Sequence, residues 1–339
     1  METQVLKPDK KSIELVGKLL KSGELVGIPT ETVYGLAANA FDGKAVEKIF
    51  KAKGRPMDNP LIVHISDLSQ INDLVTEFSP KAQALADAFW SGPLTIIMPC
   101  SDKVPTQVTA GLNTVAVRFP SHKTAQQIIS SAGVPLAAPS ANLSGSPSPT
   151  SAKYVYNDLK GKIPVIIDGG ECQVGLESTV ITLATEIPTL LRPGGITVEQ
   201  LEAVIGKINI DKGVTQMLSK DTVVASPGMK YKHYAPMAKV IILKGSTNQY
   251  ANYVNNHSNG CTGALCYSGD ESLLKVPCVS LGNEQDYNAQ AHNLFTALRK
   301  LDEMGLKTVY ARCPSTEGVG LAVYNRLIRS AGFEVINLA

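Results

Sequence analysis

Apolar positions along the chain follow two alternating rhythms. Short runs of Val, Ile and Leu bounded by Gly and Pro lie at Leu25–Ile28, Leu61–Ile65, Leu94–Met98, Val115–Phe119, Val134–Ala138, Val165–Ile167 and Thr179–Leu183, and runs of that length and flanking predict buried strands. Between them, Ser12–Leu20, Lys44–Lys51, Pro80–Trp90 and Ala125–Ser131 gather apolar residues on one face at helical spacing. The same alternation returns near the C-terminus. Strand-like Val240–Leu243, Ala264–Tyr267, Val276–Val279 and Thr308–Ala311 interleave with helix-like Gln249–Asn255, Gln290–Met304 and Leu321–Ser330, which predicts a small parallel α/β unit of Rossmann-like kind.

Residues 208–237 interrupt this order. They keep no clean period and hold the aromatic-basic cluster Ser226-Pro227-Gly228-Met229-Lys230-Tyr231-Lys232-His233-Tyr234, too aromatic for a plain spacer. The expected organisation is therefore a mixed α/β domain over 1–207, a linker or lid over 208–237, and an α/β domain over 238–339. A length of 339 residues suits two cores of ordinary size.

Charge narrows the function. With 32 Lys+Arg against 30 Asp+Glu the net charge is +2, which excludes a protein that coats nucleic acid or an anionic membrane by bulk electrostatics. Any bound anion must be held locally. The N-terminus lacks the apolar core of a signal peptide and no long uncharged apolar run follows, so the expected location is the cytoplasm, with no membrane partner. Six cysteines (100, 172, 261, 266, 278 and 313) form no C-x-x-C pair and read as buried small hydrophobes.

Familiar nucleotide motifs are missing: the sequence holds no G-x-x-x-x-G-K-[ST] and no G-x-G-x-x-G after a strand, nor H-E-x-x-H or G-x-S-x-G. The chemistry-bearing residues instead cluster at predicted strand ends. Gly27–Leu36 runs from a buried strand into a Pro-started, hydroxyl-rich turn, a place where α/β folds present ligand-binding groups; a helix N-cap by Thr30 or Thr32 is the equally open structural reading. Lys53-Gly54-Arg55-Pro56 ends a helix and sets two cations beside Asn59 and His64, and a Lys point charge with an Arg fork suits a triphosphate. His64 by itself reads as a hydrogen-bonded core histidine, and Pro139–Gly145 as an Asx or Ser turn. Arg118 lies inside an apolar strand, where an unpaired charge costs several kcal/mol, so it needs an anionic partner. Arg192 closes another strand before Pro193-Gly194-Gly195, and Ser178 and Thr179 open a further one. Cations and hydroxyls at strand ends, without a nucleophile–base pair, a carboxylate pair or a Cys/His cluster, point to a polyphosphorylated substrate handled by positioning and charge neutralisation.

In chain order, GIPTETVYGL (27–36), KGRPMDNPLIVHI (53–65), WSGPLTIIM (90–98), PSANLSG (139–145), Ser178-Thr179-Val180 and Arg192-Pro193-Gly194 resemble the YrdC-like family, and the linker with the C-terminal part resembles its longer, two-domain threonylcarbamoyl-AMP synthases. The resemblance implies a twisted open mixed sheet with a basic concave cavity. It also implies a nucleotidyl transfer in which L-threonine, bicarbonate and ATP give L-threonylcarbamoyl-adenylate and pyrophosphate, the first step of a tRNA threonylcarbamoyladenosine modification. Carried over by position, Lys53 and Arg55 act on the phosphates and hold ATP with Asn59, Thr114, Ser140, Asn142, Ser148 and Arg192, while Tyr231 or Tyr234 closes over the nucleotide. Threonine falls to Thr32, His64, Arg118, the Ala138 backbone and Ser178. Mg²⁺ travels on the ATP phosphates without protein ligands, the product passes to downstream tRNA threonylcarbamoyl-transferase proteins, and a weak tRNA contact is compatible with this. Two other readings compete. A non-catalytic RNA-binding module is disfavoured by the charge of +2 and by the lack of a stacking aromatic stripe. A carbamoyltransferase-type adenylation module carries zinc-finger segments, for which this chain has no C-x-x-C.

Overall fold

The structure is a computed structural model describing residues 2–217 and 234–338. They divide into two compact units, one holding 2–144 and 148–214, the other 145–147, 215–217 and 234–338.

In the first unit the strands are β1 (Gln4–Leu6), β2 (Val26–Ile28), β3 (Gly35–Asn39), β4 (Ile62–His64), β5 (Leu94–Pro99), β6 (Thr114–Arg118), β7 (Leu136–Ala137), β8 (Val165–Ile167), β9 (Thr179–Thr182), β10 (Thr189–Arg192) and β11 (Asn209–Ile210), forming one mixed sheet in the order β1-β8-β2-β3-β7-β4-β6-β5-β9-β10-β11. Around it lie α1 (Lys10–Lys21), α2 (Gly43–Lys53), α3 (Pro80–Phe89), α4 (Thr106–Thr109), α5 (Lys123–Ala132), α6 (Ala152–Leu159) and α7 (Val198–Ile205). The helix boundaries have local causes. Asp42 caps α2 by accepting the Lys44 and Ala45 N–H groups, and Gly54 ends it in the left-handed region at φ 63°, so Lys53 occupies the last helical position and the chain turns at once. The side chains of Leu36, Val46, Ile49, Val63, Ile96, Val117, Val155 and Ile181 fill one continuous core.

Several boundaries differ from those read in the sequence. Of the run Val134–Ala138 only Leu136–Ala137 pairs, because the prolines at 135 and 139 bring no N–H to the ladder. Gly27–Leu36 contains no helix N-cap: Ile28 ends β2, and Gly35 starts β3 antiparallel to it. The hydroxyl of Thr30 instead builds the turn between them, accepting the Thr32 and Val33 N–H groups at 3.2 and 3.3 Å and donating to the Val33 carbonyl at 2.6 Å. The segment 208–237 begins with ordered structure, since β11 pairs with β10 and a 3₁₀ turn covers Lys212–Val214.

The second unit has β12 (Lys239–Lys244), β13 (Thr262–Cys266), β14 (Cys278–Ser280), β15 (Thr308–Arg312) and β16 (Val335–Asn337), all parallel, in the order β14-β13-β15-β12-β16, with α8 (Thr247–Asn256), α9 (Tyr287–Glu303) and α10 (Gly320–Ser330) as connections. The last residue of β15, Arg312, is buried. It is neutralised by Asp270 at 3.1 Å and Glu284 at 2.6 Å, with its guanidinium near the rings of Tyr250 and Tyr267. Among the cysteines, Cys172 and Cys266 are buried as expected, but Cys261 is exposed and the other three are intermediate. Burial pushes the thiols of Cys100, Cys172, Cys266, Cys278 and Cys313 up, away from thiolate chemistry. Among the described residues no helix is long and apolar enough to cross a membrane.

Candidate active site

Cross-strand register assembles the site. His64 of β4 pairs with Arg118 of β6, and Arg118 pairs with Thr95 of β5, so the three side chains form one polar row on one face of the sheet. Thr95 and Ser178, the residue before β9, share a hydroxyl hydrogen bond of 2.7 Å. Arg192, at the end of β10, donates from Nη2 to the Ser178 hydroxyl at 3.1 Å and from Nε to the Ser178 carbonyl at 3.0 Å. Next to this row runs an apolar one of Ile62, Ala116, Ile97, Val180 and Leu191. Gly194 permits the closure: a Cβ there would stand 2.3 Å from the Thr179 nitrogen, so only glycine lets the segment after Arg192 lie against β9.

Arg118 finds its anionic partner inside the protein. Its Nη2 lies 2.7 Å from Glu31 Oε1, with both side chains 4% exposed, and its Nη1 donates to the Thr32 hydroxyl at 2.8 Å. Burial, the largest single influence, raises the Glu31 carboxyl, but the charge and N–H groups of Arg118 together with the backbone N–H groups of Glu31 and Ser121 outweigh it, and the carboxyl ends below its usual value. His64 is pushed down to about 3 by burial and by Arg118, and is a neutral ring throughout the physiological range. The Ala138 N–H donates to the Ile62 carbonyl at 3.0 Å, placing this backbone beside β4.

A second group forms around Lys53. Its ammonium reaches the carbonyls of Ser140 and Asn142, the latter at 2.7 Å, and the Asn142 side-chain oxygen at 3.4 Å. The Ser140 hydroxyl in turn donates to that same Asn142 oxygen at 2.6 Å. Burial pushes the Lys53 amine down to about 7; Arg55 adds to the shift, and Asp158 and Glu177 oppose it. Arg55 donates to the Asn59 carbonyl at 3.0 Å and lies over the Phe50 ring. The Asn59 amide is fully buried, yet neither its oxygen nor its nitrogen has a hydrogen-bond partner among the described residues. A polar group held that way costs free energy unless a ligand meets it. Ser148, also fully buried, donates to the Glu177 carboxylate.

Direct hydrogen bonds thus join Lys53 with Ser140 and Asn142, and Arg55 with Asn59, the two sets being linked by the charge of Arg55 acting on Lys53; Thr32, His64, Arg118, Ser178 and Arg192 are brought together by the polar row and its hydroxyls. Thr114 stands apart, at the opposite end of β6 from Arg118, in a groove of about 570 Å³ that it shares with Asn113, Thr182 and Asp211. Arg118 is four positions further along the strand, roughly 13 Å away. Tyr234 is buried in the second unit, its ring 5.2 Å from that of Phe295 and 5.9 Å from the Arg326 guanidinium. Tyr231 lies outside the described residues. Sequence reasoning passed over Glu31, Thr95 and Glu177. Glu31 was visible as a lone acid in the Thr-Glu-Thr turn and Glu177 as the neighbour of Ser178, whereas Thr95 carries no signal beyond its place in an apolar strand.

Comparison with known proteins agrees with this geometry. Residues 18–194 match a family model described as telomere recombination, and 196–332 match one described as threonylcarbamoyl-AMP synthase, C-terminal domain. Over 338 residues, 98% of this chain and 97% of the relative, the sequence is 47% identical to a threonylcarbamoyl-AMP synthase of Bacillus subtilis (strain 168). The chain belongs to the threonylcarbamoyl-AMP synthase family. A family member from Pyrococcus abyssi is 45% identical over 96% of both chains. A solved structure of P. abyssi Sua5 complexed with L-threonine superposes with a TM-score of 0.90 at 43% identity, covering 100% of this chain and 99% of that one. The mixed α/β sheet with a second, parallel unit is the expected fold of this family.

Proposed function

We propose that this chain is an L-threonylcarbamoyladenylate synthase acting in the cytoplasm, forming threonylcarbamoyl-AMP and pyrophosphate from L-threonine, bicarbonate and ATP for the threonylcarbamoyladenosine modification of tRNA. The observation that carries the reading is the double contact of Arg192 with Ser178. It joins a pocket suited to an amino acid, built on Arg118 and Thr32, to a cation suited to phosphate, as a transfer between the two substrates requires.

Arg118 takes the threonine carboxylate, and Thr32, Ser178, neutral His64 and the Ala138 backbone orient the rest of the amino acid. Once the ammonium has lost a proton to solvent, the free amine adds to the carbon of bicarbonate and a C–O bond there breaks with loss of water, giving a carbamate anion; a carbamate oxygen then attacks the α-phosphorus as the bond to the β-phosphate oxygen breaks. No general base is needed for that second step, because the attacking group is already an anion. Lys53, Arg55 and Arg192 neutralise charge on the departing pyrophosphate, with Asn59, Ser140, Asn142, Ser148 and Thr114 fixing the nucleotide. Mg²⁺ enters as part of the nucleotide substrate: the cationic donor set of Lys53, Arg55 and Arg192 fits phosphate oxygens, not a bare cation. The mixed anhydride is labile and must be consumed by acyl transfer to tRNA by downstream threonylcarbamoyl-transferase proteins.

Pyrophosphate release tests this reading. Release should need threonine, bicarbonate and Mg·ATP together, and release that continues without threonine would refute it. The depressed Lys53 amine supports a further expectation. Phosphate favours the protonated lysine, so above pH 7 the free protein must take up a proton to bind ATP. Affinity for ATP should fall as pH rises from about 7, by up to about tenfold per unit. Calorimetry at pH 8 in buffers of different ionisation enthalpy should show that uptake, and Lys53→Arg should remove it; equal affinity at pH 7 and pH 9 in the wild type contradicts the assignment.

A further inference from the structure

Glu31 is a buried carboxylate that the mechanism above does not use. It is 3% exposed, and both of its oxygens lack a hydrogen-bond partner among the described residues. Arg118 Nη2 stands 2.7 Å from Oε1, close enough for charge attraction, but it too has no aligned hydrogen bond. A carboxylate offers about four acceptor positions; the Arg118 guanidinium and the backbone N–H groups of Glu31 and Ser121 come near enough to stabilise the charge, but none is aligned as a hydrogen bond to either oxygen. Among the described residues no second positive charge stands near it, since His64 and His122 are both held toward the neutral form by burial and Cys172 toward the thiol. Thr32 cannot turn to it either, since its hydroxyl lies between Thr30 and Arg118. Two opposite charges thus lie side by side in a desolvated pocket, each with unused hydrogen-bonding capacity. A small zwitterion satisfies both at once, its carboxylate on the guanidinium and its ammonium on Glu31. Neither a simple anion nor a simple cation can do so without leaving one of the pair uncompensated.

We propose that Glu31 is the recognition residue for the substrate's α-ammonium group, so that the Glu31–Arg118 pair opens to admit an α-amino acid as a zwitterion and points toward the site of carbamate formation a nitrogen that reacts once its ammonium has given a proton to solvent. This rests on the reading of the pocket as the amino-acid site. It makes Glu31 a specificity determinant that separates α-amino acids from the corresponding hydroxy acids.

The test uses the full chain with ATP present and compares binding of L-threonine with 2,3-dihydroxybutanoate, which keeps the carboxylate and the β-hydroxyl and replaces the amine by a hydroxyl. Wild type should prefer threonine by at least about thirtyfold, the low end of what an unpaired buried charge costs. Glu31→Gln should narrow that preference to within about fivefold, the size of a weak surface contact, while its ATP affinity stays at the wild-type value. A Glu31→Gln protein that keeps the full preference overturns the proposal, and so does a wild type with no preference. If Glu31→Gln does not fold, Glu31→Asp decides: drawing the carboxylate back by one methylene should reduce the preference, and an unchanged preference overturns the assignment. Wild-type pyrophosphate release separates the two levels. Threonine-dependent release with an unaltered Glu31→Gln preference removes Glu31 alone, whereas threonine-independent release removes the amino-acid reading and the proposal with it.

Discussion

Replacing Arg118 by alanine should lower kcat/KM for threonine by about thirtyfold to several thousandfold, the range for truncating one member of a buried, hydrogen-bonded charge pair, with the ATP dependence little changed. The same substitution should reduce stability by about 3–5 kcal/mol, because Glu31 then remains buried with no compensating cation. The two effects separate in a double variant. Arg118→Ala with Glu31→Gln removes both charges and should recover much of the stability loss in a thermal or denaturant melt, but not threonine turnover. Normal threonine kinetics in Arg118→Ala would exclude it from the amino-acid site. Recovery of threonine turnover in the double variant would show that the single substitution acted through folding. The acid limb is also defined: the Glu31 carboxyl is held below its unfolded value, so the pair's contribution is complete above about pH 4.5 and is lost only as pH falls through the lower folded value.

Lys53→Ala should reduce kcat/KM for ATP by about 10²–10³-fold, the cost of removing one preorganised charge-stabilising donor. Its stability signature should be the reverse of that of Arg118. Lys53 is buried with its amine pushed down to about 7, so the folded protein bears a penalty for the charged form at and below that pH. Alanine removes the penalty but leaves the Ser140 and Asn142 carbonyls without their shared donor, at about 1–3 kcal/mol. These opposing terms predict a small net change in melting temperature beside a large loss of ATP use. Unchanged ATP kinetics would remove Lys53 from the site. A melting transition as depressed as that of Arg118→Ala would make it a structural residue instead.

The amino-acid sequence determined much of this protein by itself. Runs such as Leu94–Met98 and periods such as Ser12–Leu20 place strands and helices within a few residues, because burying one face or a whole strand leaves a local mark at spacing 3.6 or as a short apolar run. Arg118 and Arg192, which close apolar strands, stood out because a charge there needs a partner, whereas Lys53, in the last turn of a helix, has an ordinary explanation in the helix dipole and drew notice only beside Arg55. Where the pattern misjudged an end, as at Val134–Ala138, prolines had withdrawn backbone donors that hydrophobicity does not register.

Tertiary structure alone decided what those cations meet. The contact of Arg118 with Glu31 spans 87 positions of sequence, and that of Lys53 with Ser140 spans the same number. Both depend on a strand order, β7-β4-β6-β5-β9-β10, that does not follow the chain. Register fixes such neighbours through long-range pairing, and a shift of one residue would turn Arg118 to the other face of the sheet. Glu31 therefore looked like an ordinary acid in a polar turn, and only the fold, by burying it against Arg118, made it a chemical group.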